Sequence, residues 1–246
     1  EFYPQALDNW HWGESVALGP ANELGFRLTF LDMPESEGRA VVERFAGPFR
    51  DRPDDYAVDP KFQFLEFNNL WNPDYWDQVD PGFITRDPRP EAPEYQYWWT
   101  GNQDELGAFW NGYQSRWIAT DLLRTDPGRI ADAFFEASRL RPFIFQVNKG
   151  LSGEHPEARA RDEKTALHPG CFDAAALVIM ASSQQYKYPG VSEREPSPEV
   201  ARDLGDALDR AMGFIKDVTP GAGTYSTESD FFLEDWQQNQ WGSNYL

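Results

Sequence analysis

Residues 175–182 read AALVIMAS, a continuous apolar run that is too short to cross a bilayer. Its length and β-branched content fit a buried central strand, around which the rest of the chain has to pack. Three other segments, GFRLTFL at 25–31, FQFLEFN at 62–68 and FIFQVNK at 143–149, alternate apolar with other residues, as half-buried strands do.

Three segments have helical spacing instead. In 34–47, Val41, Val42 and Phe45 share a face. In 126–140, Asp126 is placed to cap and Pro127 to open the first turn. Ile130, Ala133, Phe134, Ala137 and Leu140 then make an apolar stripe. In 197–218, Ser197 caps, Pro198 starts the helix, and Val200, Leu204, Leu208, Ala211 and Ile215 form the buried face. Strands and helices follow one another without regular βαβ alternation. The expected class is α+β, an antiparallel sheet with helices packed on one face. Segments 69–98 and 150–165, rich in Pro, Asp, Gly and charge, read as long excursions.

Among the 246 residues, 22 basic side chains face 41 acidic ones, for a net charge of −19. Such a surface repels phosphate backbones and anionic lipid, so neither nucleic acid nor a membrane is an expected partner. The lone Cys171 sits beside an apolar stretch and reads as a buried, inert thiol. His11, His155 and His168 lack the spacing of metal ligands, and no metal is expected. No Gly-x-Ser-x-Gly elbow, P-loop or strand-linked Gly-x-Gly-x-x-Gly occurs. Aromatic content is high, with 10 Trp, 10 Tyr and 18 Phe. Core packing accounts for much of it. Aromatic platforms also suit sugar rings and aromatic substrates, and Trp71, Tyr75, Trp76, Tyr95, Tyr97, Trp98 and Trp99 crowd one excursion.

The last segment, GTYSTESDFFLEDWQQNQWGSNYL at 223–246, sets Tyr225, Glu228, Asp230, Trp236, Gln237, Trp241, Gly242, Asn244 and Tyr245 in a distinctive order. It resembles the C-terminal signature of FAD-linked oxidases of the vanillyl-alcohol-oxidase / berberine-bridge-enzyme-like family. GYQSRWIATDLL at 112–123, with Gln114, Ser115 and Arg116, and the stretch 145–175 also look like segments of that family. Thr227 stands where the family carries Asn.

The resemblance implies the substrate-domain half of a two-domain flavin oxidase, with 1–222 as an α+β substrate-binding domain whose first ~20 residues could instead belong to the flavin domain. Residues 223–246 would return toward an N-terminal FAD-binding domain that this chain does not match. The cofactor implied is FAD and the substrate a sugar or another alcohol. The start at Glu1 without Met points to processing or truncation. Relatives are often secreted, which favours an extracellular or periplasmic protein. By itself this chain is expected to hold FAD weakly or not at all.

Alcohol oxidation needs a base for the hydroxyl proton. Glu228 and Tyr225 are the candidates, with Glu228 as a structural residue the competing reading. On an extended strand Glu228 and Tyr225 would point to opposite faces. Gln146 and Asn148, polar on one face of their strand, read as substrate contacts or as an internal network. Trp98 and Trp99 are further substrate-binding candidates. The resemblance puts Asn244 and Tyr245 against the cofactor or its loops, or at a domain junction, where Trp236 and Trp241 pack. Arg116 is expected to hold the sheet edge through a buried carboxylate. Two other readings stay open: a dehydrogenase of the same type, and a carbohydrate-binding or carbohydrate-hydrolysing protein without flavin.

Overall fold

The computed structural model describes residues 11–30, 34–62, 64–105, 109–147, 155–184 and 187–245; the side chains of 11–18, 27–30, 67 and 103–105 are not described. The chain divides into two compact units. The first comprises 1–58, 111–182 and 199–246, and the second 59–110 and 183–198.

The first unit is built on a five-stranded sheet. Its strands are β1 (His11–Leu18), β2 (Leu24–Phe30), β5 (Trp110–Ala119), β6 (Phe143–Val147) and β7 (Ala174–Gln184), where β3 (Ile84–Arg86) and β4 (Tyr97–Trp99) belong to the second unit. The order is β2-β1-β6-β7-β5. The β1–β2, β1–β6 and β6–β7 pairings are antiparallel. The apolar run lies in β7, one strand in from the edge, with Ala176, Val178 and Met180 all fully buried.

The helices are α1 (Glu35–Arg50), α2 (Pro73–Val79), α3 (Thr120–Thr125), α4 (Pro127–Leu140), α5 (Pro156–Asp162), α6 (Pro198–Val218) and α7 (Trp236–Trp241). Three of them cover one face of the sheet. Phe134 of α4 meets Phe143 and Phe145 of β6, each with ring centroids 5.2 Å apart. Position 26 lies opposite position 16, which lies opposite Phe145, so Phe26 and Phe145 share a face. On that face Phe26 stacks on Phe45 of α1 at 3.9 Å. Arg129 of α4 donates to the Asp217 carbonyl of α6, which sets these two helices side by side. Leu208, Ala211, Met212 and Ile215 form the buried face of α6. Leu208, Met212 and Ile215 removed from water each stabilise the fold by about 1.5–3 kcal/mol. The α+β class with helices on one face is what the sequence pattern demanded.

Local signals acted as expected in α4, where Asp126 accepts from the Arg129 amide and Pro127 occupies the first turn. The α6 stripe is shorter than read, because Val200 is 46% exposed in its first turn. Two expectations fail. Residues 64–66 join no strand, and Phe67–Trp71 form a 3-10 turn. There Phe62 and Phe64 stack on each other at 6.4 Å, and the Asn72 side chain accepts from the Asp74 and Tyr75 amides to start α2. The two excursions also carry regular structure: α2, β3 and β4 lie in 69–98, and α5 lies in 150–165. Prolines at the first turns of α2 and α5 are helix starts as much as loop markers. The strand expected at 143–149 is present over Phe143–Val147, and Asn148 lies outside the described residues.

Candidate functional site

The candidate site lies on the face of the sheet away from α1, α4 and α6. Along β5 side chains alternate. Gln114 and Arg116 reach α6 and the loop after it. Ser115 and Trp117 point the other way. There Ser115 Oγ and Thr224 Oγ1 share a hydrogen bond of 2.7 Å, and the Tyr225 amide donates to Ser115 Oγ at 2.9 Å. The Trp117 amide donates to the Gly223 carbonyl at 3.0 Å, so residues 223–225 run along the outer edge of β5. The Tyr225 ring meets Trp117 edge-on at 6.4 Å and stays 39% exposed.

Trp117 belongs to a buried cluster with Cys171, Phe172, Ala174, Leu177 and Ile179, so Cys171 is buried in the core as expected. Leu177 sits directly opposite Gln146 in the ladder. Gln146 therefore shares the face of Trp117 and Tyr225 and is half-buried there. Of the proposed substrate-side groups, Gln146 and Tyr225 lie on the same face of the sheet, with β7 and β5 between their segments.

Glu228 corrects an expectation. Residues Ser226–Glu228 form a 3-10 turn in place of a strand. The Glu228 amide donates to the Tyr225 carbonyl at 3.1 Å, and Ser229 Oγ donates to the Ser226 carbonyl at 3.1 Å. A serine-rich stretch satisfies its own backbone in this way and leaves the sheet. The closed turn brings residue 228 back toward 225, whereas a strand would have set them on opposite faces. Glu228 is half-buried.

Arg116 also differs from its expected role. It is buried, and burial pushes its pKa below the usual guanidinium value, though the group remains a cation. Its partners are neutral: Nε donates to Thr219 Oγ1 at 3.2 Å, Nη2 to the Thr219 carbonyl at 2.8 Å, and Nη1 to Asn239 Oδ1 at 3.1 Å. A nearby carboxylate, Asp209, accepts from Gln114 instead. Lys216 donates to Gln114 Oε1 at 3.1 Å. Burial lowers the Lys216 pKa, against the pull of Asp230 and Asp209. This network fixes Thr219, Asn239 and the segment between them to β5.

At the C-terminal end, Asn244 Nδ2 donates to the Leu167 carbonyl at 2.6 Å. Tyr245 stacks on Trp241 at 5.8 Å and meets Trp236 at 6.3 Å. A shallow cavity of about 370 Å³ there is lined by Asp235, Gln237, Gln238, Gly242, Ser243 and Tyr245. FAD, which the resemblance implies, carries an anionic pyrophosphate that needs several convergent donors or cations. The cavity offers a carboxylate and amides, and the Asn244 amide is already engaged. That cavity by itself does not make a flavin cradle. No group of three or more His, Cys, Asp or Glu among them is placed to hold a metal ion.

In the second unit, Trp99 is the centre of an aromatic cluster. Its ring meets Trp71 at 6.1 Å, Trp76 at 6.4 Å, Phe83 at 5.3 Å and Tyr97 at 6.1 Å. That is core packing for Trp99. The outward rings are Trp98, Trp71 and Tyr95, exposed by 37%, 63% and 79%. Residues that sequence reasoning missed are Ser115 and Thr224, which seat Tyr225, and His168, which is buried among glycines. Glycines at 170, 223 and 242 were the visible signal.

No family model matches the chain. A 90-residue stretch is 30% identical to a FAD-linked oxidoreductase of Aspergillus flavipes, covering 37% of this chain and 13% of that protein. The structure is similar to the crystal structure of a VAO-type flavoprotein from Myceliophthora thermophila C1, with a TM-score of 0.58 and 16% identity. That likeness takes in 99% of this chain and 39% of the other. This chain therefore spans only a minor part of the length of either relative. It has the α+β fold of part of a VAO-type flavoprotein, and one stretch of it is similar in sequence to a FAD-linked oxidoreductase.

Proposed function

We propose that this chain is the substrate-side part of a FAD-dependent oxidoreductase, an oxidase acting on a CH–OH group of a sugar or another alcohol. The observation that carries the reading is a flavoprotein fold matched over nearly the whole chain. FAD, held by an N-terminal domain, would supply the hydride acceptor. This chain would supply the surface that meets the substrate. Tyr225 and Glu228 are the groups offered to take the hydroxyl proton, and the Gln146 amide is offered as a hydrogen-bond partner for substrate oxygen. Asn148 remains a candidate on sequence alone. Tyr245, with Trp236 and Trp241, is proposed to form the face toward the flavin domain. Secretion remains part of the proposal on the family's habit alone.

The exposed rings of Trp71, Tyr95 and Trp98 favour a second reading, a carbohydrate-binding surface that works without flavin. The two readings separate on the protein made from its complete gene. Flavin absorbance, an intact mass above that of this chain, and turnover of an alcohol or sugar panel lost in Glu228→Gln or Tyr225→Phe are expected. A colourless protein that binds glycans would overturn the oxidase reading.

A further inference from the structure

His168 is buried, and its ring occupies space that three glycines leave open. A Cβ on Gly223 would lie 2.3 Å from its Cγ, 2.4 Å from Cδ2 and 2.6 Å from Nδ1. A Cβ on Gly170 would lie 2.9 Å from Nδ1, and one on Gly242 would lie 3.0 Å from Nε2. Real side chains do not approach so closely, so any residue but glycine at 223 would expel the ring. Gly242 adds a backbone reason, since its φ is +55°.

The glycines come from separate parts of the chain. Gly170 is in the turn that His168 itself caps, where Nδ1 accepts the Gly170 amide at 2.9 Å. Gly223 leads directly into Thr224 and Tyr225, and Gly242 opens the final 3-10 turn at Gly242–Tyr245. The neighbouring Leu167 carbonyl takes the Asn244 amide, and the Thr224 amide donates to the Asn239 carbonyl at 2.8 Å.

We propose that His168 is a positioning residue, the pin that sets segment 223–245 against β5 and so fixes where Tyr225 stands. The link to Tyr225 chemistry rests on the oxidase reading; the pin itself does not.

The pin requires a neutral ring. Only neutral imidazole has a lone pair at Nδ1 for the Gly170 amide. A protonated ring would aim a second N–H at that amide and add a cation beside the buried Arg116. Arg116, from β5, is the charged group that acts on the ring; the turn and the C-terminal segment meet it with glycine backbone. Burial and Arg116 both hold the His168 pKa below its usual value, in keeping with this geometry.

The test is amide exchange of residues 223–245 in the full-length protein, which reads the pin whether or not flavin is bound. Gly223→Ala is expected to speed exchange at Thr224 and Tyr225 by about tenfold or more at pH 7.5. In a His168→Ala background the same change should add little, because the clashing ring is gone. His168→Asn keeps an acceptor for the Gly170 amide but cannot titrate. Acidification should then loosen the segment in the wild type and not in this variant. Gly223→Ala exchanging like wild type would overturn the proposal, even if His168→Ala failed to fold. Equal acid loosening in wild type and His168→Asn would overturn it as well.

Discussion

The two faces of the five-stranded sheet are made differently. Under α1, α4 and α6 the face is closed: Ile118, Val178, Met180, Met212 and Ile215 have no exposure, and the polar Gln114 and Arg116 are buried with their partners. On the other face, polar and aromatic groups share the surface: Gln146 is half-buried, Ser115 holds the Tyr225 amide, and Tyr225 is partly open to solvent. Both faces bury apolar side chains, since Trp117, Leu177 and Ile179 are buried on the second, but the first is the more closed. The second gives up some burial to keep directional groups at a surface. The contrast predicts that stability and activity separate by face.

The largest expected effect on stability is on the closed face. Ile215→Ala should cost about 2–5 kcal/mol, since the surrounding core only partly collapses into the gap. Gln146→Ala on the open face should cost about 0.5 kcal/mol or less. Urea unfolding of the full-length protein compares the two. Equal costs would break the contrast.

Arg116→Ala comes next. It removes three donors and strands Thr219 and Asn239 oxygens, so about 2–3 kcal/mol is expected. Arg116→Lys should restore only part, because a lysine lacks the guanidinium fork. Full rescue by lysine would mean that charge, and not the fork, holds the segment.

These residues also show what the sequence could and could not tell. α4 was legible because Asp126 and Pro127 mark its start and its apolar stripe has one period. β7 was legible because its apolar run is unbroken. β5 was hidden, because Gln114, Ser115 and Arg116 read as a polar stretch; they are buried only because Asp209, Lys216, Thr219, Thr224 and Asn239 come from remote positions to satisfy them. The same reason hid the path of 223–230. Ser229 bonds the segment's own backbone at Ser226, and the edge of β5 decides where the segment runs. Tyr225 and Glu228 could thus be named from sequence, but their mutual placement could not.

Ser115→Ala should cost about 1–2 kcal/mol, since it leaves the buried Thr224 hydroxyl and the Tyr225 amide without their partner. The His168 contribution is expected to be smaller and to appear as pH dependence. Its folded pKa lies below the unfolded value, so the folded state favours the neutral ring. That stability is complete above an unfolded pKa of about 6.5 and is lost as pH falls from there toward the folded pKa. Urea midpoints between pH 7.5 and 5 should fall further in wild type than in His168→Asn. Parallel falls would assign the acid sensitivity to other groups.

The smallest effect on stability, and the sharpest test of the contrast, is Tyr225→Phe. The ring keeps its edge contact with Trp117, and the backbone amide keeps Ser115, so unfolding should change by about 0.5 kcal/mol or less. Only the phenolic hydroxyl is lost. If that hydroxyl moves a substrate proton, turnover should drop about 10²-fold while the midpoint stays in place. A drop in KM-dependent binding with turnover intact would make Tyr225 a substrate contact and shift the proton transfer to Glu228. Loss of stability with activity preserved would show that the open face is held as a core is, and the division between the two faces would fail.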